Sequence, residues 1–223
     1  MKCPSLLTAL SFGILLASCS KSKEDTNGAA SFDYQLKATN PAATLARVQG
    51  GTLTWTAGTA SAQQIKFEAK RAGSEVEYSR SLQQSVDLFA AAPVLGSISL
   101  EAGTYDEVEF KAFLAPNGAT PALELQGQYV SNGVTTPVLF RANESVLLKA
   151  EKHNVTLSAA TGYQAVTPLN LSLGTSSISG SAFDNAVRNN GTILITASVN
   201  GTLYNSIVNN LRSSSHGEAG FHR

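Results

Sequence analysis

Apolar and polar residues change places with a period of two through much of this chain. Leu53 and Trp55 stand on one side of a run whose other side is Thr52, Thr54 and Thr56. Ile65, Phe67 and Ala69 oppose Lys66, Glu68 and Lys70. Val108, Phe110, Ala112 and Leu114 oppose Glu107, Glu109 and Lys111, and Leu123, Leu125 and Tyr129 oppose Glu124, Gln126 and Gln128. Side chains of a strand point alternately to its two faces, so this pattern predicts sheets with one face buried and one solvated. Val146–Ala150 and Val155–Leu157 read as further strands.

Turn chemistry separates these runs. Pro116-Asn117-Gly118 divides two of them, and Ala102-Gly103 reverses the chain ahead of Tyr105. Asn132-Gly133 is the strongest hairpin signal, because both residues tolerate the positive φ of a type I′ turn. Strands this short, with turns every 8–12 residues or so, indicate a sandwich or a barrel. No helical pattern lies between them, which favours stacked antiparallel sheets over a parallel sheet. Towards the C-terminus the period changes. Ala182, Phe183, Ala186 and Val187 predict a helix stopped by Asn189-Asn190-Gly191, with Ser179-Gly180-Ser181 at its start. Thr192–Val199 reads as a strand. Asn200 is a candidate cap for a second helix, whose stripe is Leu203, Ile207, Val208 and Leu211. Residues 213–223 form a polar tail expected to fray, with Phe221 able to fold back.

The N-terminus carries a different signal. Lys2 precedes an apolar run from Leu6 to Ala17, too short to span a bilayer. Leu16-Ala17-Ser18-Cys19 resembles the lipobox of bacterial lipoproteins, which implies that Cys19 is lipidated and becomes the first mature residue. Several acyl chains on that cysteine would give a stable anchor, since each buried methylene contributes about 0.8 kcal/mol. Cys3 would leave with the leader. The chain has 2 cysteines, so the mature domain would hold no free thiol for a disulfide, a zinc site or a nucleophile. Ser20 to Ser31 is small and polar, as a tether would be. Glu24 and Asp25 resemble the acidic cluster that directs some Bacteroidota lipoproteins to the outer face of the outer membrane; Lys21 and Lys23 interrupt it.

Four segments recur in a recognisable order. They are Gly51-Thr52-Leu53-Thr54-Trp55-Thr56-Ala57-Gly58, Phe67-Glu68-Ala69-Lys70, Val86-Asp87-Leu88-Phe89 and Leu100-Glu101-Ala102-Gly103-Thr104-Tyr105-Asp106-Glu107-Val108. The last two resemble the V-D-L … L-x-A-G-x-Y pattern of β-sandwich lipoprotein domains common in Bacteroidota, which are distantly similar to fimbrillin-type surface subunits. The resemblance spans 51–114 and implies a β-sandwich, transthyretin-like or immunoglobulin-like; together with the periodicity, the expected fold is a mainly β chain, an antiparallel β-sandwich with one or two short C-terminal helices. It implies no catalytic residue. Independently of it, Gly103 suits a tight turn, and Asp87 suits a carboxylate that accepts backbone donors where a strand meets a loop.

Lys and Arg number 16, as do Asp and Glu, for a net charge of +0. There is no basic stripe, so nucleic acid is excluded as an expected partner. Glu107 and Glu109 are the best candidate carboxylate pair. Two apart on a strand, they share a face at about 6.5–7 Å, within reach of an inverting glycosidase geometry. Lys111 continues their row and Lys66-Glu68-Lys70 can lie opposite, so cross-strand ion pairing on a solvated face accounts for both. His153 reads as a turn or strand-start residue; His216 and His222 flank Glu218 in the tail, and nothing in the sequence makes the three converge on a metal. No nucleophile elbow, phosphate-binding loop or calcium-loop spacing is present. Trp55 shares a face with Leu53 and is expected to fill the core. Tyr78, Tyr105, Tyr129 and Tyr163 are available for a glycan or protein contact, with nothing in the sequence to bring them together.

The expected organisation is a signal peptide over 1–18, a tether over 19–31, a β-sandwich with C-terminal helices over 32–212, and the tail. The expected role is non-enzymatic: a structural, adhesive or ligand-binding module, lipid-anchored through Cys19 at the outer membrane and facing outward, with a glycan or protein ligand and no cofactor or metal. A polysaccharide-acting enzyme or accessory domain, and a periplasm-facing lipoprotein of envelope maintenance, are the alternatives. An aromatic patch would favour glycan binding, a pocket of converging carboxylates hydrolysis, and an apolar patch or unpaired sheet edge assembly with another chain.

Overall fold

The computed structural model describes residues 28–44, 51–175, 177–214, 217–218 and 220–222. The leader with Cys19, the acidic pair Glu24-Asp25 and His216 lie outside them. In chain order the first strands are β1 (Ala29–Thr39), β2 (Ala42–Thr44), β3 (Thr52–Arg71), β4 (Ser74–Asp87) and β5 (Val94–Glu101). Then come β6 (Gly103–Leu114), β7 (Leu123–Ser131), β8 (Val134–Ala142), β9 (Val146–Leu157) and β10 (Gly162–Asn170). After these follow α1 (Leu171–Thr175), α2 (Gly180–Asp184), β11 (Arg188–Asn189), β12 (Thr192–Ile195), α3 (Gly201–Ser214), β13 (Gly217–Glu218) and β14 (Gly220–His222).

The strands form two sheets, and neither closes into a barrel. The small sheet runs β14-β10-β1-β5; the large one runs β11-β12-β8-β7-β3-β6-β9-β13, with β2 and β4 also on β3. Most pairs are antiparallel, as the short turns require. β10 beside β1, β12 beside β8 and β13 beside β9 are parallel, departures from the antiparallel expectation at places where the chain returns after a long connection.

β3 explains the shape of the large sheet. Its two alternating stretches, around Trp55 and around Phe67, belong to one strand of 20 residues. Register irregularities between Trp55 and Ala57 and between Ala62 and Gln64 each shift the pattern by one. The buried positions accordingly change from Leu53 and Trp55 to Ala60 and Ala62, and then to Ile65, Phe67 and Ala69. One extra residue turns every later side chain to the opposite face, so two bulges restore the original one. The first half of β3 pairs with β7, and the second half lies between β6 and β4.

Different elements cover the two halves. Over the second half lies the small sheet: the Phe110 ring is 5.0 Å from Tyr34, 4.9 Å from Phe67 and 6.2 Å from Phe32, centroid to centroid. Over the first half lie the helices, with Phe183 of α2 5.2 Å from Tyr129 and Tyr204 of α3 5.6 Å from Phe140. Leu203, Ile207, Val208 and Leu211 are all buried, as their spacing predicts. Burying an aliphatic side chain fully contributes roughly 1.5–3 kcal/mol, enough to hold α3 on the sheet.

The turns between the strands follow their chemistry, and the departures lie around the helices. Asn132 (φ 50°) and Gly133 (φ 75°) join β7 to β8 in left-handed conformations. Asn190 (φ 49°) and Gly191 (φ 80°) do the same between β11 and β12, so this pair makes a hairpin instead of simply ending a helix. The helix expected to reach Val187 stops at Asp184, and Val187 is exposed. Asn200 precedes α3, but its side-chain amide does not cap that helix. It donates to the carbonyls of Val187 (2.9 Å) and Leu194 (2.8 Å) and accepts the Val187 N–H (2.9 Å), locking the hairpin beneath α3. Asp87 behaves as expected, accepting the Phe89 N–H at 2.9 Å.

The tail is the largest difference from expectation. Gly217–Glu218 pair with Ala150–Glu151 of β9, and Gly220–His222 pair with Val166–Gln164 of β10. The tail therefore passes from the large sheet to the small one and closes that side of the sandwich. β1 likewise begins at Ala29, inside the stretch expected as a tether.

Candidate functional site

Two surfaces of the sandwich are candidates: the outer face of β4-β3-β6-β9, and the seam between β4 and β5. On the outer face, register places residues in rows across the strands. Lys66, Lys111 and Lys149 lie side by side, and so do Glu77, Glu68, Glu109 and Glu151. Lys70, Glu107 and His153 form the next row. Like charges thus stand directly opposite one another in the first two rows, and attraction runs between rows. Lys66 reaches Glu68 at 2.6 Å and Glu77 at 3.2 Å. Lys111 binds Glu109 and, at 3.0 Å, Glu68. Lys149 binds Glu109 and, at 2.9 Å, Glu151. Lys70 takes Glu107 at 3.2 Å, and His153 lies 3.7 Å from Glu151.

The ion pairing expected for Glu107 and Glu109 is present, but the face is drier than expected at its centre. Glu109 is only 4% exposed, enclosed by the stems of its lysine neighbours. The Lys66 and Lys111 ammoniums hold the Glu68 carboxyl down at about 2. Lys149 holds Glu151 below the usual carboxylate range, and hydrogen bonds to Glu109 and Glu151 raise Lys149. For Lys111 burial works against the charge, and the bonds to Glu109 and Glu68 outweigh it.

One carboxylate oxygen from each of Glu107, Glu109 and Glu151 comes within 4.8 Å of the others. Lysine ammoniums are already among them: Lys149 joins Glu109 to Glu151, Lys111 takes Glu109 and Lys70 takes Glu107. Donating a proton also suits Glu68 and Glu151 poorly, because their lysines favour the ionised form. The arrangement is therefore a charge lattice that sequence spacing located and only register could resolve into rows.

The remaining candidates disperse. Trp55 is buried, against Gly127 of β7. A Cβ at Gly127 would come within 2.8 Å of the indole and 2.7 Å of the Thr54 carbonyl, so this glycine makes room for the tryptophan. Tyr105 is buried and donates to the Glu101 carbonyl at 2.9 Å. Tyr129 is buried, its hydroxyl 3.0 Å from the Gly180 carbonyl and 2.9 Å from an Asp184 carboxylate oxygen, tying β7 to α2. Tyr163 is buried beside Phe32 at 5.2 Å. His153 is exposed on β9, and His222 is placed only through the backbone of β14.

Tyr78 is different, and it leads to the seam. Among the described residues β4 pairs only with β3, and β5 only with β1. Every residue from Arg71 to Ser81 is exposed. Val76 and Tyr78 alternate with Glu75 and Glu77, yet among the described residues no strand of the small sheet pairs beside them, and Val76 is 50% and Tyr78 39% exposed. Between the two edges lies a groove. One part, of about 320 Å³, is lined by Phe67, Val76, Tyr78, Ile98 and Leu100. A second, of about 530 Å³, shares Val76, Ser99 and Leu100 with it and continues to Tyr105 and Arg71. Arg71 closes that end, its guanidinium 3.3 Å from the Ala102 carbonyl and 5.7 Å from the Tyr105 ring centre. Sequence reading missed this site: the alternation of β4 is ordinary, and only the sheet order leaves its apolar face uncovered.

No helix among the described residues is long and apolar enough to cross a membrane. Comparison with family models, with curated proteins and with solved structures finds no match to this chain.

Proposed function

We propose that this chain is a lipid-anchored, non-enzymatic β-sandwich module of the bacterial outer membrane, facing outward, which assembles with another protein chain. Cys19 is the point of attachment. The observation that carries the assembly reading is the asymmetry of the sandwich. The C-terminal tail closes the side formed by β9 and β10, while β4 and β5 leave the opposite side open over an apolar groove. Unpaired backbone groups on a long edge strand are a template for a further strand. Glycan binding has less support, because Tyr78 is the one exposed large aromatic side chain among the described residues.

Protease treatment of intact cells, with Cys19→Ala alongside the wild type, tests the address. The expected result is digestion of the wild-type domain at the surface and loss of the variant from the membrane fraction. Protection of the wild type, or membrane retention of the variant, would overturn it. A photo-crosslinking residue at position 78 tests the assembly: a discrete protein adduct is expected there and not at position 147 on the opposite side of the sheet.

A further inference from the structure

We propose that the occupant of the β4 edge is an extended segment of another protein whose residues alternate, basic on the outer face and apolar on the inner. The proposal rests on the assembly reading and adds the chemistry of the partner. At the centre of the sheet Glu68 and Glu109 each have two cationic neighbours: Glu68 has Lys66 and Lys111, and Glu109 has Lys111 and Lys149. At β4 the lattice is cut short. Glu77 keeps a single partner, Lys66, and is 55% exposed. Glu75, also exposed, lies two residues before it on the same face. In the row of Lys66, Lys111 and Lys149, β4 contributes Ser79, so this edge supplies no cation of its own there.

A strand added to the free edge of β4 continues all three rows. Its outward side chains fall beside Glu75, Glu77 and Ser79, where lysine or arginine gives Glu77 the second cation that Glu68 and Glu109 have inside the sheet. Its inward side chains fall beside Val76 and Tyr78, above Phe67, Ile98 and Leu100 in the groove. Alternation is therefore demanded by the edge itself: main-chain hydrogen bonds give attachment, and the two faces give selectivity. A glutamate-bearing strand would set like charges directly opposite, with Lys66 the single lysine beside Glu77 to relieve them.

The test uses the lipid-free domain from residue 20 to the C-terminus and three synthetic peptides: alternating lysine–valine, alternating glutamate–valine, and a lysine–valine peptide of the same composition with lysines and valines in blocks. Fluorescence anisotropy is expected to show the alternating lysine peptide binding about tenfold or more tighter than the other two, with affinity falling as salt rises. The double variant Glu75→Lys with Glu77→Lys, checked for folding by circular dichroism, is expected to reverse the preference towards the glutamate–valine peptide. Equal binding of alternating and block peptides, or an unchanged preference in the double variant, would overturn the proposal. So would self-association in sedimentation that Tyr78→Ser abolishes, since a second copy would then be the occupant. A crosslinked partner at position 78 together with no peptide preference would refute the charge pattern and leave the assembly reading standing. Loss of both would refute both.

Discussion

Glu107 and Glu109 sit two residues apart on one face of β6, and their surroundings make them energetically unequal. Glu109 is enclosed and bound by Lys111 and Lys149, whereas Glu107 is met by Lys70 alone at a half-open position. Removing one partner of an enclosed ion pair leaves charge behind in a poor solvent, while a surface pair contributes little. Glu109→Gln is expected to cost about 3 kcal/mol, softened because each lysine keeps a second carboxylate. Glu107→Gln is expected to cost under about 1 kcal/mol. Urea unfolding of the two variants measures the difference, and equal costs would show that the centre of the lattice is as wet as its rim. The sequence places both residues on one face with their lysines. It does not say which of them is dry, because that depends on β9 bringing Lys149 alongside.

The elements show how small insertions direct large surfaces. In β3 the first bulge, next to Trp55, lets a single strand serve two coverings, helices on one half and the small sheet on the other. Gly127 is its counterpart on β7. Gly127→Ala is expected to destabilise by about 1–3 kcal/mol, read from the urea midpoint and from a change in fluorescence of the single tryptophan. The tail is the second such element. Its segments are too short and polar to have been read as strands, and they are ordered by the edges that receive them. Truncation after Ser214 is expected to speed hydrogen exchange in Ala150–Glu151 and Gln164–Val166, whose neighbours it removes, while leaving β4 unchanged. Uniform acceleration across the chain would mean that the tail supports the whole fold and not one seam. The hairpin at Asn190-Gly191 carries a similar lesson. The dipeptide ends a helix or turns a strand equally well by its left-handed tolerance, and β8, which pairs with β12, decides between them.

On the scale of the molecule, the charge lattice sets the response to acid. Lys66 and Lys111 hold Glu68 at about 2, below its ordinary value of 4.5, and Lys149 lowers Glu151 in the same direction. A carboxylate held low in the fold contributes stability that is complete above its unfolded value and is lost as pH falls through the folded one. Urea midpoints are therefore expected to fall between pH 4.5 and about 2, and Glu68→Gln is expected to flatten that fall. The raised lysines act at the opposite limit: their contribution is complete below 10.5 and declines only at higher pH. A midpoint already falling between neutrality and pH 5 would point to groups outside this face.

By itself the sequence determined the local facts: alternating strands, Asn-Gly turns, the apolar stripe of α3, Trp55 in the core, Asp87 at its turn, and carboxylates set among lysines. These follow from backbone geometry, which gives a strand a period of two and a helix one of 3.6 wherever it stands. Tertiary structure decided the rest. It joined two alternating stretches into β3, stopped α2 early, brought the tail across two sheets and, among the described residues, left the outer edges of β4 and β5 without a strand beside them. Each of those outcomes depends on which distant strand lies alongside, and pairing between distant strands leaves no mark in the periodicity of either one. The open seam is such a pairing left unmade.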